Sequence, residues 1–299
     1  MNKFFLDLGM QPLANNYLKF FKKKQIKYHL KLFFNTKTKM VSISKRIPSK
    51  QMFTNNYPYR SSVSKTMRNS FYKLSLEIKK RFNPKKILEI GSNDGALIKN
   101  FNKNDIIAVE PCNNLAKITS KKGYLTYNKY WNYDLAKKLK IKHGEIDLIY
   151  SANTLTHISD LNDVIKSISY LLSRNGVLII EDPSLLDCIK KNSYDQFYNE
   201  HIYLFSALSV KDLLSKFNLE IFDIKNLSTH GGSLRYYIKR QKNKFLKISN
   251  NVKKQINKET NNGLHKLETY KKFSKNVIKS KKKLLDILDI IKKKMVKRL

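Results

Sequence analysis

Between residues 85 and 182, short β-branched apolar runs alternate with stretches whose apolar positions recur every three or four residues. KKILEI (85–90), IIAVE (106–110), YLTY (124–127), IDLIYS (146–151) and GVLIIED (176–182) predict five strands, and Pro111 and Pro183 follow two of them. LNDVIKSISYLLSR (161–174) places Leu161, Val164, Ile165, Ile168, Leu171 and Leu172 on one face of a helix. Strands alternating with helices predict an α/β fold whose sheet is mostly parallel and covered on both sides.

The pattern then changes. LEIFDI (219–224) and SLRYYIK (233–239) are separated by a linker too short for a crossover helix, so they should pair antiparallel. Parallel strands closed by an antiparallel hairpin form the Rossmann-like sheet of class I methyltransferases, whereas NAD-binding domains are parallel throughout. Residues 67–83 predict a helix leading into the first strand. Residues 251–299 show helical spacing through Val277, Leu284, Leu285, Leu288, Ile291 and Val296, with lysines on the other faces. Residues 1–66 are rich in aromatics and lysine and lack a long periodic helix. The expected organisation is a small N-terminal lobe (1–66), an α/β domain (67–240) and a Lys-rich helical tail (241–299).

Charge sharpens this division. The 299 residues carry a net charge of +37, which invites a nucleic-acid partner. Residues 1–86 hold 21 basic and 2 acidic side chains, and 239–299 hold 21 and 4; the segment between has 18 and 17, a balance of only +1. Eight of the 60 basic residues are Arg. Base and phosphate readout favours the bidentate Arg fork, so this Lys-dominated charge argues against nucleic-acid recognition. The loop after the fourth predicted strand reads SANTL, not the Asn/Asp-Pro-Pro-Tyr that positions an exocyclic amine, and it holds no cysteine for cytosine C5 chemistry. RNA methylation is thus the alternative that the charge suggests and the motifs oppose. Two cysteines, Cys112 and Cys188, cannot build a disulfide framework. The N-terminus lacks the unbroken apolar region of a signal peptide and no stretch reaches membrane-spanning length, so a cytoplasmic protein without a membrane partner is expected.

GSNDG (91–95) follows an apolar strand and opens toward a helical pattern, the context in which a glycine loop is informative. Gly91 permits a sharp turn and Gly95 a close approach to a ligand. Nineteen residues beyond Gly91, Glu110 ends the second strand, where a carboxylate accepts both ribose hydroxyls of an adenosine. Glu89 precedes the loop by two residues. A dinucleotide would require the fuller G-x-G-x-x-G spacing, so S-adenosylmethionine (SAM) is the expected cofactor, held by Glu89, Gly91, Ser92, Asn93, Asp94, Gly95 and Glu110, with Asn153 nearby.

Substrate should bind beyond the carboxyl ends of the strands. SANTLTHISD (151–160) supplies Asn153 and His157, and the segment 181–206 supplies Tyr198, Glu200 and His201; STHGGSLR (228–235) lies at the final hairpin. A single histidine is more often packed or solvated than catalytic, but two on adjacent strand-end loops, one beside Glu and Tyr, suit proton transfer near neutrality. Carbon accepts a methyl group only when made nucleophilic, and removing a proton α to a ketone does this; the enolate oxygen then needs donors such as Tyr or His.

LDLGMQPLANNYL, YPYRSSVS, EIGSNDG, ANTLTHISD, FYNEHIYLFS and THGGSLRYYI resemble, in order and spacing, the SAM-dependent nucleotide-sugar C-methyltransferases. The resemblance runs from about residue 5 to about residue 290. It implies action on a nucleotide-linked keto-deoxysugar, typically a dTDP sugar methylated at C3, in surface-polysaccharide or deoxysugar synthesis. It implies His201 as the base beside Tyr198 and Glu200, His157 in the active site, and a lobe tyrosine reaching in, assigned to Tyr59 with Tyr57 as the alternative. Two departures stand out. The family's N-terminal zinc site uses two Cys-x-x-Cys pairs; in FFNTKTKMV, Asn35 and Thr38 stand where the second would fall, so no metal is expected and the lobe should be held by an aromatic core. The family also continues into a C-terminal domain, of which the tail here reads as a truncated start. A relative that binds SAM without turnover is the remaining alternative.

Overall fold

The computed structural model describes all residues except 19, 21–24, 45–46 and 297–299. In chain order its main elements are β1 (Asn2–Pro12), β2 (Lys27–Asn35), β3 (Val41–Ile43), α1 (Ser49–Met52), α2 (Lys65–Phe82), β4 (Ile87–Ile90), β5 (Ile106–Val109), α3 (Asn113–Lys121), β6 (Leu125–Tyr127), α4 (Tyr133–His143) and β7 (Ile146–Ala152). There follow α5 (Leu161–Leu171), β8 (Leu172–Pro183), α6 (Leu185–Lys191), β9 (Tyr203–Leu204), α7 (Ala207–Ser215), β10 (Leu219–Leu227), β11 (Ser233–Arg240), α8 (Asn250–Asn261) and α9 (Leu267–Val296).

A seven-stranded sheet runs β10-β11-β8-β7-β4-β5-β6. β11 is antiparallel to both of its neighbours, and the other ladders are parallel. This is the predicted α/β class I methyltransferase arrangement. β4 (ILEI) and β5 (IIAV) are buried at every position because helices cover both faces. One face packs α2 through Met67, Phe71, Leu74 and Ile78; the other packs α4 and α5 through Leu139, Val164, Ile165 and Ile168. Ser64 caps the start of α2 by accepting from the Met67 N–H, and Asn83 ends it in the left-handed conformation.

The helix predicted over 161–174 stops at Leu171. Leu172 instead pairs with Ile146 and begins β8, and Arg240 donates to the carbonyls of Ser169, Leu172 and Ser173 at that end. Leu172 kept the helical period because a strand start in this position is buried as well.

The N-terminal strands form a second sheet, β1-β2-β3-β9, whose last strand comes from the segment after β8. The lobe is therefore stitched to the α/β domain by backbone pairing of Val41 and Ser42 with Leu204 and Tyr203. Its aromatic core is completed from the C-terminal segment: Tyr270 of α9 stacks on Phe34 with centroids 4.3 Å apart and lies 5.2 Å from Phe5. Leu264, Tyr270, Phe273 and Val277 are buried, so the first part of the predicted tail belongs to the core. Beyond Val277 the apolar stripe of Leu284, Leu285, Leu288 and Ile291 is about half exposed; the side chain of Val296 lies outside the described residues. Among the described residues, no helix is long and apolar enough to cross a membrane, and no group of three or more His, Cys, Asp or Glu is placed to hold a metal.

Candidate active site

A cavity of about 870 Å³ opens at the carboxyl ends of the parallel strands, lined at one end by the 91–93 loop and Glu110 and at the other by His157, Tyr198, His201 and His230. The GSNDG loop leaves β4 with the N–H groups of Gly91 and Ser92 donating to the Val109 carbonyl at 2.8 and 3.1 Å. Gly91 has φ +75°, and a Cβ there would lie 2.2 Å from Thr154 Oγ1, so this position requires glycine. Asn93, with φ +50°, accepts from the Ser61 and Asp94 N–H groups and donates to the Tyr59 carbonyl at 3.2 Å. The loop thereby holds the 59–61 segment over the cavity.

Glu110 is buried, and its two oxygens accept the Asn93 and Cys112 N–H groups, each at 2.8 Å. Burial raises its pKa and these two bonds oppose the rise. Each carboxylate oxygen still has a lone pair for a ribose hydroxyl. Glu89 is 4% exposed, and its Oε2 has no hydrogen-bond partner among the described residues; Ser92 Oγ is likewise unpartnered. Burial, then the Glu110 and Asp94 charges, push the Glu89 pKa well above the usual carboxylate range. An orphaned acid facing a cavity suits a cationic ligand group, and SAM carries an ammonium. Glu89 for the ammonium, Glu110 for the ribose and the Gly91 turn for close approach therefore fit SAM.

At the substrate end, both histidines are held through Nδ1. His201 Nδ1 lies 2.8 Å from the Gln196 carbonyl and His157 Nδ1 2.6 Å from the Glu200 carbonyl. A carbonyl only accepts, so Nδ1 carries the proton in each neutral ring and Nε2 the lone pair. His201 Nε2 accepts the Tyr198 hydroxyl at 2.5 Å, and the two imidazoles lie 5.1 Å apart. Burial lowers the His157 pKa; burial, His157 and then His230 hold that of His201 well below its ordinary value. Burial favours the neutral form of His157, opposed by the Glu200 and Asn153 main-chain groups and the Glu200 charge, and in that form donation from Nε2 would require protonation.

Glu89, Gly91, Ser92, Asn93, Glu110, Asn153, His157, Tyr198, His201, Tyr57 and Tyr59 all line this cavity. Three of the expected residues do not. Asp94 spends its carboxylate on the N–H and hydroxyl of Ser62 and the hydroxyl of Ser61. Gly95, at φ +84°, packs behind the loop, where a Cβ would meet Thr119 Cγ2 at 3.0 Å. Glu200 turns its carboxylate away toward the lobe, onto Asn15 and Tyr57. Of the two candidate tyrosines, Tyr57 is buried and donates to Glu200 at 3.4 Å, whereas Tyr59 is 44% exposed and its pKa is raised by burial and then by Asp94. Sequence reasoning missed Asn15, Phe53, Cys112, Trp131 and His230, which also line the cavity. His230 had a signal in the hairpin segment STHGGSLR and Asn15 in the motif LDLGMQPLANNYL; Phe53, Cys112 and Trp131 carry none that local pattern could reveal.

Fold and cavity together define a methyltransferase domain. A family model described as "Methyltransferase domain" matches residues 59–224, more than half of the chain, and one described as "C-methyltransferase C-terminal domain" matches residues 228–297. The chain belongs to the SAM-dependent C-methyltransferase family. It is similar to the C-methyltransferase NovU of Streptomyces niveus, with 29% identity over 150 residues, which span 50% of this chain and 36% of that protein. Among solved structures it is similar to a SAM-dependent methyltransferase from Anabaena variabilis (15% identity, 59% of this chain and 86% of that one, TM-score 0.46). Another is the magnesium protoporphyrin IX methyltransferase of Synechocystis with bound S-adenosylhomocysteine (14% identity, 58% and 83%, TM-score 0.44).

Proposed function

We propose that this protein methylates a carbon of a nucleotide-linked keto-deoxysugar, of the dTDP class, in surface-polysaccharide or deoxysugar synthesis. The observation that carries the reading is the Tyr198–His201 pair and His157 in the same cavity as the glycine loop and Glu110. Bound SAM supplies an electrophilic methyl group. The protein's own contribution is to make a carbon nucleophilic. His201 Nε2, neutral and paired with the Tyr198 hydroxyl, takes the proton α to the ketone, and the C–H electrons move into the enolate. The Tyr198 hydroxyl is the donor available to the enolate oxygen as the proton settles on His201. His157 Nε2, and Tyr59 at the lobe side, orient the sugar. The cavity's volume of about 870 Å³ lies near the upper end of single-ligand pockets, room for a cofactor beside a second ligand. The protein is read as cytoplasmic, with a small-molecule partner and without a membrane or nucleic-acid partner.

The test is mass spectrometry of a dTDP-4-keto-6-deoxysugar incubated with SAM. A gain of one methylene unit is expected with the wild-type chain and not with His201→Ala. No gain with the wild type, or an equal gain with the variant, overturns the reading.

A further inference from the structure

The 198–201 segment meets the lobe through the Asn199 side-chain amide, which donates to the Gln11 carbonyl at 3.4 Å, and more closely through Glu200. Glu200 is 1% exposed, and a carboxylate so buried needs donors. Its Oε1 accepts the Asn15 N–H at 3.0 Å, and its Oε2 accepts the Asn15 side-chain amide at 2.6 Å and the Tyr57 hydroxyl at 3.4 Å. The Asn15 amide also donates to the Tyr57 oxygen at 3.1 Å. Glu200's main chain faces the other way: its carbonyl accepts His157 Nδ1 at 2.6 Å, and its neighbour in sequence is His201. Asn15 and Tyr57 sit in the wall between the main cavity and a smaller one of about 290 Å³, which Glu200 lines. The side chain of one residue therefore grips the lobe while its backbone sets the tautomer of an active-site histidine.

We propose that Asn15 is a positioning residue for methyl transfer, acting through Glu200 to hold Tyr57 and His157 in register. This rests on the C-methylation reading above. Asn15 supplies the two shorter of the three bonds to the Glu200 carboxylate; losing its side chain removes the 2.6 Å bond and leaves the main-chain N–H at position 15 and the long Tyr57 contact. The carboxylate of Glu200 is then held less tightly on the lobe side, although the backbone pairing of β9 with β3 persists, and small displacements of reacting groups are costly to rate.

Three variants test it: Asn15→Ala, Asn15→Asp, and the exchange Asn15→Asp with Glu200→Gln. Asn15→Asp keeps the shape but sets two carboxylates against each other. In the exchange, the amide introduced at position 200 donates to the carboxylate introduced at position 15, and the main-chain N–H at position 15 keeps an acceptor. The single variants should lose roughly tenfold to a hundredfold in kcat/KM for the keto sugar, with an unchanged Kd for SAM, and the exchange should recover most of the loss. Wild-type kcat/KM in the single variants, or an exchange no better than Asn15→Asp, overturns the proposal. A second readout does not depend on turnover. Solvent exchange of the His157 Nδ1–H proton, followed by NMR on histidine-labelled protein, should be slow in the wild type and the exchange variant and faster in Asn15→Asp. Equal rates overturn the clamp even if the wild type methylates, whereas an inactive wild type with the expected exchange pattern overturns only the substrate reading.

Discussion

The hydroxyl of Tyr198 donates to Nε2 of His201 at 2.5 Å, in a ring pair whose centroids lie 3.9 Å apart. With Nδ1 committed to the Gln196 carbonyl, this leaves His201 a neutral imidazole whose basic nitrogen already holds a proton donor. Under the proposed mechanism, removal of Tyr198's hydroxyl takes away both the enolate's donor and that partner. Tyr198→Phe should lower kcat by roughly tenfold or more and His201→Ala by roughly a hundredfold to ten-thousandfold, measured as single turnovers with bound SAM.

The acid side of the pH profile follows from burial. His201 is pushed well below its ordinary pKa by desolvation first and then by His157 and His230. A depressed pKa keeps the unprotonated base present as pH falls. The acid limb of kcat/KM should therefore lie below about pH 6.5, the value for a free imidazole. A limb at or above that value would show that another group carries the limiting proton.

SAM binding should release a proton. Burial, then Glu110 and Asp94, raise the Glu89 pKa and so favour its protonated form in the empty pocket, and an ammonium beside it favours the ionised form. Its pKa therefore falls on binding, and affinity rises with pH until Glu89 ionises without the ligand. Calorimetry in buffers of different ionisation enthalpy should detect the released proton, and Glu89→Gln should abolish it while weakening binding.

Gly91→Ala places a Cβ 2.2 Å from Thr154 Oγ1 on a backbone at φ +75°. Left-handed conformation alone costs an alanine about 1–2 kcal/mol, and the clash adds to this by moving the 153–154 turn. Thermal unfolding should show the lost stability, and SAM affinity should fall because Asn153 lines the same cavity.

Glu259 of α8 is fully buried and accepts the Ala207 and Leu208 N–H groups at 2.9 and 3.0 Å, at the start of α7. Cutting it back to alanine strands both donors, each costing about 1–3 kcal/mol. Glu259→Ala should lower the denaturant midpoint, and Glu259→Gln, which keeps one acceptor oxygen, should lower it less.

The α/β domain was legible because its signals are local. β4, β5 and β7 are read from β-branched runs, and the α5 face is read from apolar spacing that any buried helix must show. Gly91 and Glu110 were legible as well, since loop geometry and strand ends place them whatever surrounds them. Where prediction slipped, two structures shared one pattern: Leu172 is apolar whether it ends a helix or starts a strand. In the C-terminal segment the apolar spacing picked out Val277, but Lys-rich composition conceals that Leu264, Tyr270 and Phe273 also face inward.

The amino-acid sequence by itself marked the strands and their closing antiparallel hairpin, the cofactor loop and the two candidate histidines. The tertiary structure alone decided which groups meet there and how each is hydrogen-bonded. Asn15 and Glu200 are 185 residues apart, and no periodicity links them; the pairing of β9 with β3 carries the 198–201 segment to the lobe and lets them meet. The proton positions on His157 and His201 were settled in the same way, by main-chain carbonyls that come within reach only once the chain has folded. Hydrogen-bond roles depend on which groups become neighbours, and the sheet topology sets those neighbours.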